Sequence, residues 1–149
     1  MAGYESNGRD ASRTSTPLPK KLGIKPDALV ALLASPPGFE KTLGALPDGV
    51  EVRTQARSRF DVIVFFATRE RELARRFPVM ARALLPDGGL WVAWPKKKSC
   101  VATDLTFDPV QEVGLDAGLV DNKVCAIDDT WSGLRFVVRV ADRPSSNGR

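Results

Sequence analysis

Apolar positions along this chain gather in short dense blocks separated by turn residues. Residues 28–34 form the continuous run Ala-Leu-Val-Ala-Leu-Leu-Ala, closed by Ser35-Pro36-Pro37-Gly38. A short apolar run bounded in this way predicts a strand buried on both faces, as in a parallel sheet. Residues 39–43 suit a short helix after the turn, and residues 50–53 a second, weaker strand. Residues 61–67 (Asp-Val-Ile-Val-Phe-Phe-Ala) are β-branched and aromatic between flanking charges, the clearest strand pattern in the sequence. Thr68 then stands where a helix N-cap is expected. Leu73, Phe77, Met80, Ala81 and Leu84 follow at helical spacing and predict one apolar stripe. Pro78 lies within that stripe and predicts a kink or restart. Asp87-Gly88-Gly89 is read as the helix end.

The pattern then returns to strand at residues 90–94 (Leu-Trp-Val-Ala-Trp), stopped by Pro95. Asp108-Pro109 predicts a further helix start, with Asp108 as N-cap and Gln111 completing a capping box. Val110, Val113 and Ala117 would face the core, and Asp108, Glu112 and Asp116 would form an acidic outer stripe. Residues 120–127 and 134–140 read as an antiparallel hairpin joined by 128–133. Alternating strands and helices with short loops predict a Rossmann-like α/β fold: a mixed, mainly parallel sheet flanked by helices, ending in that hairpin. The expected organisation is one domain over 17–140 between disordered tails at 1–16 and 141–149. Residues 17–26 would supply an entry segment with a helical turn around 20–22.

Composition narrows the chemistry. The chain of 149 residues contains no histidine, which excludes Ser-His and Cys-His catalysis and the commonest zinc ligand. Cys100 and Cys125 are the only cysteines and are not spaced as CxxC, so neither a disulfide framework nor a zinc site is expected. Cys125, among apolar residues, reads as a small core residue. No apolar run approaches the roughly 20 residues of a membrane span, and the polar stretch after Met1 predicts no secretory leader. A cytoplasmic protein with reduced thiols is the expectation.

The formal charge of +4 is unevenly placed. Residues 17–76 hold eleven Lys and Arg against seven acids, whereas 104–129 hold seven acids against Lys123 alone. The basic half is a candidate anion surface, although solvated helix faces account for most of it.

The order of elements resembles the class I S-adenosylmethionine-dependent methyltransferases over roughly 28–140. The best local match is Ala83-Leu84-Leu85-Pro86-Asp87-Gly88-Gly89-Leu90-Trp91-Val92, where that family often has a leucine-proline-glycine-glycine turn before an apolar strand. The resemblance implies S-adenosylmethionine as cofactor, held by a glycine-rich loop after the first strand and by an acid after the second. The chain departs from both. Ser35-Pro36-Pro37-Gly38 holds one glycine and two prolines without N–H groups. Val52 is followed by Arg53, Thr54 and Gln55, and Glu51 comes too early. One βα unit also looks missing between Arg53 and Asp61. The sequence is similar, further, to a family of short bacterial proteins containing a domain of unknown function. That similarity rests on Thr16-Pro17-Leu18-Pro19-Lys20-Lys21-Leu22-Gly23-Ile24, Trp94-Pro95-Lys96-Lys97, Thr103-Asp104-Leu105-Thr106, Lys123-Val124-Cys125-Ala126 and Thr130-Trp131-Ser132-Gly133-Leu134. It implies a shared fold.

In open α/β sheets, ligands sit beyond the carboxyl ends of the parallel strands. That rule selects Ser35, Pro37, Gly38, Thr68, Trp94, Lys96 and Trp131 as candidate ligand residues, with no catalytic or metal residue among them. An indole would stack on a planar ligand and Lys96 would hold an anion. The competing expectation is that Trp94 caps the core, Lys96–Lys98 is a solvated turn and Trp131 covers the sheet end. Lys123 reads as an edge-strand charge, or as a partner for Asp104 or Asp121.

The functional reading is a noncatalytic or ligand-sensing relic of a methyltransferase fold, with a small anionic or nucleoside ligand. The alternatives are an atypical S-adenosylmethionine-dependent methyltransferase and a nucleic-acid or protein interaction module. Nucleic acid is disfavoured, because three lysines at 96–98 are few and the region that follows is acidic. Three Trp and seven Phe leave room for a homo-oligomer.

Overall fold

The computed structural model describes residues 16–142. The expected tails fall mostly outside these residues, although Val140–Asp142 forms a short 3-10 turn. The chain enters through one helical turn, α1 (Leu18–Lys21), and continues through β1 (Leu29–Leu33), α2 (Phe39–Leu43), β2 (Glu51–Arg53) and β3 (Phe60–Phe66). Then follow α3 (Glu70–Arg82), β4 (Leu84–Pro95), α4 (Phe107–Asp116), β5 (Leu119–Ala126) and β6 (Trp131–Val138).

The strands form one six-stranded sheet in the order β2-β1-β3-β4-β6-β5. The first four are parallel, and β6 is antiparallel to both β4 and β5. The hairpin is present as expected, but its second strand is the inner one. The turn is shorter than the sequence suggested: Trp131-Ser132-Gly133 belongs to β6, where Trp131 lies opposite Pro95. Asp128 makes the turn tight, its Oδ1 accepting from the Thr130 and Trp131 amides at 2.8 Å each.

Alternation along the central strands creates two cores. Val30, Leu32, Val62, Val64 and Phe66 face α2 and the entry segment, which contributes Leu22 and Ile24. Ala31, Leu33, Ile63 and Phe65 face α3 and α4, packing on Leu73, Phe77, Met80 and Val110. Trp91 anchors the first core: it is fully buried, and its Nε1 donates to the Leu22 carbonyl at 3.0 Å. Burying the ring while satisfying its N–H keeps the hydrophobic gain without a desolvation penalty.

Three local expectations give way to longer-range contacts. First, α3 runs through Pro78 without restarting, since exposed Pro78 sits on its solvent side and the buried stripe is continuous. Second, α3 ends at Arg82, so Asp87-Gly88-Gly89 does not terminate it but lies within β4. The pairing of β3 with β4 slips between Phe60 and Val62, and Gly88 is required there: a Cβ would stand 2.7 Å from the Asp61 carbonyl oxygen. Third, α4 begins at Phe107 with Thr106 as N-cap, so Asp108 is not the cap. Gln111 completes no capping box; its Nε2 donates to the Asp121 carboxylate at 3.2 Å. Ala117 is exposed, while Gly114 takes the buried position on that helix.

Candidate functional site

The chain leaves β1 towards one sheet face, where Phe39 and Leu43 of α2 are buried. It leaves β3 towards the opposite face, where α3 packs. The two exits diverge at the carboxyl ends of neighbouring strands, which is the topological switch point where α/β sheets open a ligand crevice. Residues 34–38 form one lip and residues 67–69 the other.

Aromatic side chains occupy the position between the lips and the hairpin. The Phe39 ring meets Phe66 edge-on at 4.8 Å, and Phe66 meets Trp131 at 5.0 Å and 89°. Phe39 and Phe66 are buried and Trp131 partly so. Edge-to-face pairs of this kind add about 0.5–1.5 kcal/mol each beyond their buried area. The sequence placed Phe39 and Phe66 on their elements but gave no sign that they meet Trp131, because the contact depends on the sheet order.

The first lip offers few donors. Pro36 and Pro37 have no N–H, and the Phe39 amide is turned inward to the Pro36 carbonyl at 3.1 Å. Ala34 takes a left-handed conformation (φ 58) to leave the strand, and Gly38 (φ 79) leads into α2. On the second lip, the Thr68 carbonyl accepts from Thr103 Oγ1 at 2.7 Å and from the Asp104 amide at 3.3 Å. Thr68 is not the cap of α3: that helix has Arg69 at its N-cap, and Asp104 Oδ1 accepts from the Glu70 amide at 2.7 Å.

The remaining candidates divide. Lys96 joins the Trp131 side, its amide donating to the Thr130 carbonyl at 2.8 Å. Trp94 does not: its side chain enters the opposite core, 7% exposed, with its ring 6.5 Å from Phe107. Of the candidates, Trp131 is in the aromatic cluster, Ser35, Pro37 and Gly38 lie in the loop that leads to Phe39, Lys96 adjoins the hairpin turn, and Trp94 packs in the opposite core. Lys123 pairs with neither Asp104 nor Asp121 and is exposed on the edge strand β5. Sequence reasoning also missed a cleft of about 240 Å³ lined by Arg53, Thr54, Gln55, Arg57, Ser58 and Phe60. Its sequence signal was the polar, Arg-rich run between β2 and β3. Among the described residues no group of His, Cys, Asp and Glu is arranged to hold a metal ion. No described helix is long and apolar enough to cross a membrane.

No protein-family model matches the sequence, and no curated protein sequence matches it. Solved structures do match the fold. Magnesium protoporphyrin IX methyltransferase from Synechocystis PCC 6803, with bound SAM, aligns at a TM-score of 0.55 and 12% identity, covering 82% of this chain and 74% of that one. A SAM-dependent methyltransferase from Aquifex aeolicus aligns at 0.53 and 17%, covering 80% and 87%. A complex of DhpI with SAH aligns at 0.55 and 14%, covering 83% of each chain. The fold is thus that of the class I S-adenosylmethionine-dependent methyltransferases.

The residues at the crevice do not fit the cofactor that this fold implies. The strand after α2 ends on Arg53 where a ribose-binding carboxylate is needed, and the nearby Glu51 carboxylate is paired with that same arginine at 2.8 Å. The loop after β1 has two prolines in place of backbone donors, and it leads directly into Phe39, whose ring packs on Phe66.

Proposed function

We propose that this chain is a noncatalytic, ligand-sensing domain on a methyltransferase fold, in which the cofactor crevice has become part of the core. The observation that carries the reading is the Phe39–Phe66–Trp131 cluster at the switch point. The donor-poor loop, Arg53 at the second strand end and the absence of histidine support it. A methyltransferase reading gains only the fold from the solved structures, which are at most 17% identical among those named. We place the protein in the cytoplasm, where the free Cys100 and Cys125 would remain reduced.

A thermal-shift titration tests this reading. A ligand at about 100 times its dissociation constant adds about 2.7 kcal/mol, or roughly 3–6 °C for a domain of this size. The expected outcome is no specific shift with millimolar S-adenosylmethionine or S-adenosylhomocysteine, measured beside ATP and NAD. A shift of several degrees with the methionine nucleosides alone would restore the methyltransferase alternative.

A further inference from the structure

We propose that the cleft between β2 and β3 binds a phosphate group, through Arg53, Arg57 and the amides and hydroxyls of the loop that joins the two strands. The proposal names a ligand class for the ligand-sensing reading and rests on that reading only for its biological sense. It needs no nucleoside in the crevice.

The cleft follows from the short path the chain takes between these strands. β2 and β3 flank β1, and both run parallel to it. Arg53, the last residue of β2, is level with Ala31 of β1, and Ala31 is level with Ile63 of β3. Because β3 begins at Phe60, residues 54–59 pass β1 and also turn back along the sheet. A parallel connection ordinarily uses about a dozen residues or more, usually with a helix that covers the sheet. Six residues build no such helix, and an open space of about 240 Å³ remains, lined by the two arginines, Thr54, Gln55, Ser58 and Phe60. The loop is anchored all the same. Ala56 is partly buried against the core on the α3 side, Arg59 Nη2 donates to the Leu84 carbonyl at 3.3 Å, and Phe60 is fully buried. A loop held at three points has less freedom to lose when a ligand binds.

The lining is rich in donors and contains no acid. The six amides from Thr54 to Arg59 make no hydrogen bond to a described residue, and neither do the side chains of Thr54, Gln55, Arg57 and Ser58. Successive backbone N–H groups without acceptors are the material of anion-binding concavities. Arg53 Nη2 donates to Glu51 at 2.8 Å, but both side chains are more than half exposed. Such a surface pair is weak, and a guanidinium has further N–H donors for a second anion. A phosphate monoester matches this set better than a carboxylate does. It brings three terminal oxygens and nearly two negative charges to two guanidiniums and the hydroxyl and amide donors around them. Arginine is also the cation whose planar fork grips phosphate bidentately.

The experiment follows the amide chemical shifts of the isotope-labelled full chain during titration with inorganic phosphate at constant ionic strength. Phosphate at millimolar concentration is expected to move the amides of residues 54–58 saturably, while chloride does not. Arg57→Gln should raise the half-saturating phosphate concentration by at least about tenfold, as loss of a charge-assisted bond requires. Arg57 is exposed and bonds to no described residue, so the variant should retain the parent's cooperative melt. Arg71→Gln removes the same charge from an exposed position on α3, beyond the carboxyl end of β3, and should leave half-saturation within about twofold of the parent. Ribose 5-phosphate separates the sources of phosphate: action at lower concentration than the inorganic ion identifies the phosphate of a larger ligand, and equal or weaker action identifies the free ion. An absence of saturable shifts at 54–58, the same shifts with chloride, or equal losses in the two variants overturns the proposal. Shifts at residues 34–39 and 67–69 with S-adenosylmethionine would overturn the crevice reading alone, so the two failures are distinguishable.

Discussion

Asp104 lies 34 residues beyond Glu70 in sequence, yet its carboxylate accepts from the first amide of α3. An orphan N–H at a helix start is satisfied by whatever acceptor the fold brings close, and here the loop before α4 brings Asp104. Thr68, the residue whose type and position suggested a cap, instead lends its backbone carbonyl to that same loop. The two substitutions should therefore separate. Asp104→Ala should lower stability by about 1 kcal/mol, the usual worth of a helix cap. Thr68→Ala should remain within about 0.5 kcal/mol of the parent, both read from urea midpoints. Equal losses would mean that Thr68 caps after all. Residue types indicated that a cap was needed near 68, but the acceptor was not legible, because proximity across 34 residues has no local pattern.

Strands were the most legible elements, and the reason is physical. Residues 30–33 and 62–67 are buried on both faces, so their apolar runs are unbroken and owe little to context. Helix boundaries were less legible because packing selects them. Gly114 shows this in α4. By propensity an alanine there should strengthen the helix by up to about 1 kcal/mol. The structure reverses the sign, since a Cβ at 114 would clash with the Cδ2–Cε2 edge of the Phe136 ring, and that ring is fully buried and meets Phe77 edge-on at 5.3 Å. Gly114→Ala should lower stability by about 1–3 kcal/mol through overpacking, measured by chemical denaturation. A stabilised variant would show that α4 is free to shift away from the sheet. The Asp87-Gly88-Gly89 reading failed for a related reason. The glycines serve the close approach of β3 and β4, which a single-chain pattern does not display.

For the whole molecule, the sequence conveyed the architecture: a mainly parallel sheet, an antiparallel end and one βα unit fewer than the methyltransferase pattern between Arg53 and Asp61. The strand order β2-β1-β3-β4-β6-β5 agrees with each of these, and β2 is left as a three-residue edge strand with all its residues exposed. The site was only partly legible. The rule for carboxyl strand ends selected Ser35, Pro37, Gly38, Thr68, Trp94, Lys96 and Trp131, but it cannot say which side chains turn inward. Hence Trp94 was included although it packs against Phe107, and Phe39 and Phe66 were not included although their rings pack in one cluster with Trp131.

The central claim is that the chain's own aromatic side chains close the crevice of a methyltransferase fold to its cofactor. Amide chemical-shift mapping of the isotope-labelled chain during titration with S-adenosylmethionine tests it most directly. The account predicts no saturable change at Ser35, Gly38, Phe39, Thr68 or Trp131 up to millimolar ligand. Saturable shifts centred on residues 34–39 and 67–69 would contradict it, because the crevice would then open and bind.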